Sequence, residues 1–401
     1  MRETFAADFD VIVAGAGVAG VAAALAAARA GSRTALVEKT VFPGGLATAG
    51  NVLAYLPLSD SRGQQVTFGI AEQLLRAALR YGPGDIPPDW RDPQTRSRFG
   101  SRFSPASLVL ALDEELTGAG VEIWYDTLIC QTVVQGDRVT GIEVENKSGR
   151  GRLSARCLVD ATGDADVAFR AGAACVEQDN YLSLWALGAS LDRAGRAAGS
   201  GDGSLLLELV TVGGSDVGAG HPEGMRKFSG TRGKDVSRFA LEGRRLLREH
   251  YRKKQQELGE TGRKDTYPLS LPAMVDVRTT RRIEGRRCLK DGEMYQHFDD
   301  CVGLVADWRG GRDVWEVPFG ALLPAQVRGL LAAGRCIASA GQAWEVTRVI
   351  QAAAMTGEVS GTAAAMAAQL DTTPDALDVT DLQNQLKGRG FRLDVGEIEA
   401  A

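Results

Sequence analysis

Three glycines near the amino terminus, Gly15, Gly17 and Gly20, have the spacing of a phosphate-binding turn. They follow an apolar run at 11–13 and open an alanine-rich stretch that predicts a helix. In such a turn the first glycine permits a tight bend, the second lets the backbone approach a pyrophosphate, and the third lets the helix lie close to the sheet. The N–H groups and the dipole of the helix start then hold the phosphates. The same turn includes Ala16, Val18 and Ala19.

An acidic residue, Glu38, ends a second apolar run at 34–37, after Gly31 has interrupted the predicted helix. A carboxylate at the end of this strand can accept hydrogen bonds from a ribose diol, and it repels a 2′-phosphate. FAD or NAD is therefore favoured over NADP. The strand, helix, second strand and acid lie in register within about thirty residues, which predicts a dinucleotide-binding domain.

A loop with paired glycines comes directly after the acid. Lys39 is followed by the segment Phe42-Pro-Gly-Gly-Leu-Ala-Thr48. This loop resembles the flavoproteins of the glutathione-reductase-type FAD fold, in which it runs beside the pyrophosphate and the ribityl chain. The NAD domains of ordinary dehydrogenases have no such loop at that place. The resemblance implies that the dinucleotide is FAD.

The composition and the charge argue against several other classes of protein. A chain of 401 residues allows one or two domains, and its 44% hydrophobic and 24% charged residues are typical of soluble globular proteins. The net charge of -5 gives no reason to expect nucleic acid as a partner. The six cysteines form no CxxC pair, which argues against a metal site and favours free thiols in a reducing cytoplasm. No signal-peptide pattern is visible, and the longest apolar run, at 18–28, is too short to span a membrane.

The elements that must position these residues can be read from the periodicity of the apolar residues. A helix is predicted at 107–116 and strands at 120–125, 128–134, 141–145 and 152–158, of which the last three form an antiparallel meander. Near the carboxyl end, a strand within 327–337 precedes a helix of small residues from about Val346 to Leu370. In between, a charged helix at 236–259 alternates with glycine-rich stretches, and the stretch 213–220 predicts a surface loop.

These patterns predict an α/β fold with two parts. The first is a Rossmann-like FAD-binding domain, in which a parallel sheet carries an antiparallel β-meander, at 1–50, 105–172 and 325–372. The second is a discontinuous mixed α+β substrate domain, or cap, at 51–104 and 173–324. The remaining residues, 373–401, are expected to form a peripheral tail.

Four sequence blocks, in this order, resemble the FAD-dependent oxidoreductases that are distantly related to fumarate reductase and L-aspartate oxidase. They are the amino-terminal turn with its paired-glycine loop, Asp160-Ala-Thr-Gly-Asp-Ala-Asp166, Val277-Arg-Thr-Thr-Arg-Arg-Ile283, and Gly334-Arg-Cys-Ile337 leading to Arg348-Val. Together they span roughly residues 8 to 370. The resemblance implies the same FAD-binding fold and an oxidoreductase activity.

The resemblance also implies which residues hold the cofactor. Those expected at the ADP half and the ribityl chain are Gly15, Ala16, Gly17, Val18, Ala19, Gly20, Glu38, Lys39, Gly44, Gly45, Leu46 and Thr48. Those expected beside the adenine, ribose and pyrophosphate are Leu128, Ile129, Ala161, Thr162, Gly163, Gly334 and Arg335. Arg348 and Val349 are expected at a helix N-terminus that faces the flavin ring, since reduced flavin gathers negative charge and a helix N-terminus stabilises it.

The loop before Arg348 departs from the family pattern, which often carries histidines there. Gly341 and Trp344 stand where those histidines are expected. Gln342, Trp344 and Glu345 are therefore the local candidates that take the place of those histidines beside Arg348.

Two further groups are candidates for chemistry. His297 is one of three histidines and could act as a base, and a structural histidine is the alternative. Arg278, Arg281 and Arg282 form the one notable basic cluster. If they lie on a strand, Arg278 and Arg282 share a face and could hold a substrate carboxylate. The alternative is a structural network with Asp276, Glu284 or a domain interface.

The leading hypothesis is a flavoenzyme that transfers a hydride between a small organic substrate and flavin N5. No second nucleotide fingerprint is visible in the sequence, so an external electron donor or acceptor is expected. A flavin monooxygenase is one alternative, because Gly163-Asp164 resembles the Gly-Asp turn of aromatic hydroxylases. A non-catalytic FAD-binding protein is the other. The sequence leaves the substrate and a possible homo-oligomer open.

Overall fold

The computed structural model describes residues 4–92, 94 and 98–399 of the chain. The helices are α1 (Val18–Arg29), α2 (Ile70–Leu79), α3 (Pro105–Gly118), α4 (Asp166–Arg170), α5 (Leu191–Ser200), α6 (Gly233–Glu257), α7 (Gly262–Asp265), α8 (Gly341–Thr347), α9 (Ile350–Gln369), α10 (Val379–Gly388) and α11 (Gly396–Glu399). The first nine strands are β1 (Phe5–Ala14), β2 (Thr34–Val37), β3 (Ala54–Tyr55), β4 (Ser101–Arg102), β5 (Glu122–Trp124), β6 (Leu128–Gln135), β7 (Arg138–Asn146), β8 (Gly149–Asp160) and β9 (Cys175–Glu177). The other strands are β10 (Asp179–Asn180), β11 (Ser183–Ser190), β12 (Glu208–Gly213), β13 (Phe228–Ser229), β14 (Thr266–Ser270), β15 (Arg281–Ile283), β16 (Cys301–Ala306), β17 (Val314–Pro318) and β18 (Leu330–Ala332).

The main sheet has the order β5-β2-β1-β8-β7-β6, and β18 also pairs with β8. The strands β5, β2, β1, β8 and β18 are parallel, whereas β6 and β7 form an antiparallel meander onto β8. The predicted α/β fold, a parallel sheet that carries a meander, is therefore confirmed. The register pairs Ala14 with Val37 and with Asp160, and Asp160 with Ala332. Four strands thus end at one edge of the sheet, and the segments that follow them meet there.

The helix α9 packs against α1 at very close range because both consist mainly of small residues. A Cβ atom on Gly357 would overlap the backbone of Ala19, and one on Gly361 would overlap the backbone of Ala23. The predicted helix from about Val346 is interrupted: α8 ends at Thr347, and Val349 is extended, with φ −77° and ψ 164°. The helix α9 therefore begins at Ile350, so that Arg348 and Val349 lie in the bend between two helices.

The segment 182–277 has its own smaller packing units. The antiparallel sheet β12-β11-β14 and the helix α6 enclose one small hydrophobic cluster, and Phe228, Phe239 and Val277 belong to a second. By contrast, Leu74 and Trp315, which lie in the remaining parts of the expected substrate domain, belong to the large cluster around the main sheet.

In the described part of the chain, no helix combines the length and the apolar character that crossing a membrane requires.

Candidate functional site

The glycine-rich turn after β1 has the geometry that its spacing predicts. Gly15 adopts a φ of 92°, and a Cβ there would lie 2.7 Å from the carbonyl oxygen of Ala161. A Cβ on Gly20 would overlap the carbonyl oxygen of Gly15, so α1 can begin this close to the turn only with glycine. A Cβ on Gly17 would instead point into open space, with Ala161 O the nearest atom at 3.9 Å. That space is the position a pyrophosphate requires.

The paired-glycine loop lies directly against this turn. The Gly44 N–H donates to the carbonyl oxygen of Ala16 at 2.7 Å, and a Cβ on Gly45 would lie 2.9 Å from the Cα of Gly17. The hydroxyl of Thr48 donates to the carbonyl oxygen of Pro43 at 2.6 Å. The Thr48 side chain therefore points into its own loop. We expected its hydroxyl to face the cofactor, and it does not.

Glu38 is buried at the end of β2, beside the glycine turn. One carboxylate oxygen accepts from the Ala16 N–H at 2.8 Å and the other from the Thr40 N–H at 2.9 Å. Each oxygen retains a second lone pair that can accept from a ribose hydroxyl. The Thr127 N–H donates to the Glu38 carbonyl at 3.0 Å, which places the start of β6, with Leu128 and Ile129, next to this acid.

These segments enclose a space that we call the cofactor cleft. It is lined by Gly15, Gly17, Val18, Ala19, Glu38, Lys39, Gly44, Gly45, Leu46, Ala161, Thr162, Gly163, Gly334, Arg335 and Arg348. Its lining includes the acid Glu38, the N-terminus of α1, and Arg348 in the bend before α9. An extended dinucleotide such as FAD fits this sequence of groups, since ribose, pyrophosphate and flavin ring follow one another in the same order.

Arg335 joins three of the four sequence blocks. Its guanidinium donates to the carbonyl oxygens of Gly163 (2.7 Å) and Val277 (2.5 Å) and to the carboxylate of Asp164 (2.9 Å). The hydroxyl of Thr280 donates to the same carboxylate at 2.6 Å. The expected contact of Arg335 with a pyrophosphate is therefore limited, because several of its N–H groups already bind protein atoms.

The three clustered arginines have separate tasks. β15 begins only at Arg281, so Arg278 lies outside the strand, and the condition under which Arg278 and Arg282 would share a face is not met. Arg281 pairs with Asp166 at 2.6 Å, and its guanidinium lies 4.0 Å from the ring centre of Phe169. Arg282 lies over the ring of Trp344. Arg278 lines a cavity.

That cavity, which we call the inner cavity, adjoins the ring end of the cleft and has a volume of about 530 Å³. Its apolar walls include Leu46, Val52, Ala54, Leu56, Trp185 and Trp308. Its charged lining residues are Asp216, Asp276, Arg278, Arg335 and Arg348. A mostly apolar space with a few converging polar groups is typical of a small-molecule site.

Two arginines in the inner cavity share one carboxylate. Asp216, in the glycine-rich stretch 213–220, binds the Nε of Arg278 and the Nη2 of Arg348 (3.1 Å) with the same oxygen. Arg278 also donates to the hydroxyl of Ser183 at 3.3 Å, and Arg348 pairs with Glu345 through its Nε at 2.8 Å. Glu345 therefore fixes the position of Arg348, which is a different task from the acid–base role expected of it.

Asp276 is the second acid of the inner cavity, and its side chain is buried. One oxygen accepts from the Trp185 N–H at 2.7 Å, whereas Oδ1 has no hydrogen-bond partner among the described residues. Burial raises the pKa of Asp276 to about 8, and the Trp185 N–H and the charge of Arg278 oppose this rise only in part. The carboxyl is therefore protonated at neutral pH and can donate or accept a proton near pH 8.

Two expected catalytic residues lie elsewhere. Gln342 has an exposed side chain, and its N–H donates to Asp291. His297 is half exposed and lies 3.1 Å from the buried Glu316, whose hydrogen bond raises the pKa of the histidine. Glu316 also accepts from the N–H groups of Phe298 and Val395, so this histidine belongs to a structural junction with the carboxyl-terminal segment.

The sequence analysis did not identify Asp216 and Asp276 as site residues. The only signal for Asp276 was its position two residues before Arg278, and Asp216 lay within a predicted surface loop.

The family model described as FAD dependent oxidoreductase matches residues 10–181 and 217–386 of this chain. A thioredoxin reductase of Ureaplasma parvum is 41% identical over 68 residues, which are 17% of this chain and 22% of that protein. The chain therefore spans about a fifth of the length of that relative.

Two solved structures show lower similarity. A geranylgeranyl bacteriochlorophyll reductase-like protein of Thermoplasma acidophilum is 13% identical, with a TM-score of 0.46, over 96% of this chain and 82% of that one. Mycobacterium smegmatis Sdh1, solved with UQ1, is 17% identical, with a TM-score of 0.48, over 96% of this chain and 72% of that one.

Proposed function

The chain belongs to the family of FAD-dependent oxidoreductases, and we propose that it oxidises or reduces a small organic acid bound in the inner cavity. FAD, when bound, supplies the redox step, a hydride transfer at N5 of its ring. The observation that carries the proposal is the pair Arg278 and Arg348, which faces a largely apolar cavity at the ring end of the cleft.

The residues of the cofactor cleft fit FAD in an extended conformation. We assign the ribose diol to the carboxylate of Glu38 and the pyrophosphate to the start of α1, above the open side of Gly17. The backbone N–H groups at the start of α9, from Ile350 onward, and the charge of Arg348 lie at the opposite end of the cleft. A helix start has N–H groups without intrahelical partners, which can stabilise negative charge on the ring.

The substrate carboxylate would bind to the guanidinium groups of Arg278 and Arg348. A guanidinium binds a carboxylate through two parallel hydrogen bonds, and this geometry fixes the orientation of the bound acid as well as its position. Both arginines have mostly buried side chains, 19% and 12% exposed. In such a site an ion pair is screened less than at the surface.

The proton that accompanies the redox step would be handled by Asp276. Asp276 lines the inner cavity, its buried Oδ1 has no hydrogen-bond partner in the part of the chain that the structure describes, and its neutral form is the favoured one at pH 7. A group with a pKa near the working pH is suited to general acid–base catalysis. Trp185 and Trp308 contribute apolar walls that keep water away from this exchange.

The flavin must also exchange electrons with a second molecule, which we take to be separate from this chain. The sequence carries a single dinucleotide fingerprint, so we assign the exchange of electrons with a second molecule to a donor or acceptor that binds separately.

The test is anaerobic titration of the FAD-loaded protein with hydroxy acids and amino acids, and of its chemically reduced form with enoates, each acid compared with its neutral amide. We expect loss of the flavin absorbance with one of the hydroxy or amino acids, or its return with one of the enoates, and no such change with the corresponding amide. Arg278→Gln should raise the half-saturating concentration of that acid, whereas Arg282→Gln, a matched change on Trp344, should not. An equally effective neutral compound, or, in a parallel reaction under air, a product that incorporates oxygen from O₂, would contradict the proposal.

A further inference from the structure

We propose that Asp216 is an internal carboxylate ligand of Arg278 and Arg348, and that it must leave the pair before an acid can bind. The inference rests on the proposed function, because it adds a specificity-determining residue to the same carboxylate subsite. The ligands it concerns are small carboxylates with a flat apolar body, which the tryptophan-lined walls of the cavity can accommodate.

The geometry of Asp216 is that of a bound ligand. A single oxygen of its carboxylate contacts both guanidinium groups, so it lies at the point where the two arginines converge. Its side chain is 27% exposed, more than either arginine. An incoming carboxylate would compete for this position, since it needs the same N–H groups.

The loop that carries Asp216 is built to present it. The Gly214 N–H donates to the carbonyl oxygen of Leu182 at 2.5 Å, which ties the base of the loop to the start of β11. At the tip, the Ser215 N–H donates to the carbonyl oxygen of Ala219 at 2.9 Å and closes a tight turn. Val217, next to Asp216, is 85% exposed. A rotation of the Asp216 side chain toward solvent therefore needs no change in the base of the loop.

The balance of charges explains which ligands can replace Asp216. Arg278 and Arg348 are matched by the carboxylates of Asp216 and Glu345. If an acid replaces Asp216, this balance is kept, whereas a neutral ligand would leave two buried guanidinium groups with one carboxylate. An unpaired buried charge is strongly unfavourable. The arginine pair therefore favours acids over neutral ligands, and a neutral ligand gains nothing from the departure of Asp216.

Competition with Asp216 lowers the apparent affinity for every acid. If Asp216 occupies the arginine pair about nine-tenths of the time, the apparent dissociation constant is roughly tenfold higher than that of the open site. Removal of the Asp216 carboxylate should therefore lower the apparent dissociation constant for an acid by the same factor.

The experiment measures binding of benzoate and of the neutral benzamide to the FAD-loaded protein, by calorimetry and by the change in flavin absorbance. We expect Asp216→Asn to bind benzoate roughly tenfold more tightly than the unmodified protein, with no tighter binding of benzamide. Glu223→Gln, which removes an exposed acid from the same segment, is the matched control and should leave both affinities unchanged. Asp216→Ser serves as a second variant if the first does not retain FAD.

Two outcomes would overturn the inference. If Asp216→Asn and Asp216→Ser bind benzoate no more tightly than the unmodified protein, Asp216 does not compete for the arginines, and the carboxylate subsite itself is unaffected. If benzoate binds to none of these proteins, the inference fails together with the carboxylate subsite of the proposed function.

Discussion

The cofactor cleft and the inner cavity adjoin each other, but they are built from different parts of the protein. The cleft consists largely of backbone: glycines at three strand ends, helix starts, and one acid held by two N–H groups. The inner cavity consists mainly of side chains, with two tryptophans and five charged groups that are mostly buried. The cleft can therefore bind a constant cofactor through groups that are fixed by the fold. The cavity can be changed residue by residue without changing the fold.

The largest expected effect tests the backbone part of this comparison. Gly20→Ala would place a methyl group on the carbonyl oxygen of Gly15, and the backbone on both sides is fixed by the sheet and by α1. We expect a loss of at least about 3 kcal/mol in the free energy of unfolding of the apoprotein, at the upper end of the range for overpacking. Chemical denaturation measures it.

Gly17→Ala is the matched control, because its methyl group would enter open space in the cleft. This variant should keep the stability of the apoprotein and lose FAD. If both variants lose only FAD, the close packing of α1 on the turn does not support the fold as described here.

The parts of the fold that the sequence predicted are those with local causes. The turn at Gly15, the acid Glu38 and the meander strands β6 to β8 each follow from the spacing of neighbouring residues. The interruption at Val349 was not predicted, because the small residues around it are equally compatible with one continuous helix.

The inner cavity could not be predicted, because its residues come together only through the tertiary structure. Asp216, Asp276 and Arg348 lie far apart in the sequence, and no periodicity relates them. The sequence shows the cluster at Arg278, but a face shared with Arg282 would require one strand through both residues, and β15 begins only at Arg281. Tertiary packing determines which side chains line a cavity. In the sequence, these residues appear only as isolated charges.

The next largest effect is expected from the buried carboxyl of Asp276, whose ionised form is unfavourable in the inner cavity. The pKa of Asp276 rises from 3.8 to about 8 on folding, so its contribution to stability is full below pH 3.8 and is lost as the pH rises toward 8. Asp276→Asn removes this dependence, and each unit of pKa shift corresponds to about 1.4 kcal/mol. We expect the variant apoprotein to be more stable than the unmodified one at pH 8, by a few kcal/mol, and to lose this advantage near pH 4. Thermal unfolding across this pH range measures it, and parallel profiles would refute it.

A smaller effect is expected at Glu38, the acid at the ribose end of the cleft. Glu38→Ala should weaken FAD binding by about 1.5–3 kcal/mol, the range for hydrogen bonds to a charged group. The carboxylate also holds the N–H groups of Ala16 and Thr40, so some stability of the apoprotein should be lost as well. Glu38→Gln separates the two effects, since the amide keeps one acceptor. FAD affinity close to that of the unmodified protein in both variants would contradict the ribose assignment.

The smallest expected effect lies where the two regions meet, at Arg348. This residue lines both the cleft and the inner cavity, one residue before the extended Val349 and the start of α9. Reduced flavin carries more negative charge than oxidised flavin, so a nearby cation stabilises the reduced form preferentially. Asp216 and Glu345 already offset the charge of Arg348, which should reduce its influence.

We therefore expect Arg348→Ala to lower the midpoint potential by no more than about 30 mV, which for a two-electron couple is about 1.4 kcal/mol. Binding of oxidised FAD should change little, because the ribose and pyrophosphate contacts lie at the other end of the cleft. Arg348→Lys should recover part of the potential, since it keeps the charge without the planar fork. In Asp216→Asn the potential should instead rise, because Arg348 loses a carboxylate that offsets its charge. If potentiometric titration gives the same midpoint for all of these proteins, Arg348 belongs to the inner cavity alone, and the boundary between the two regions lies between this residue and the flavin ring.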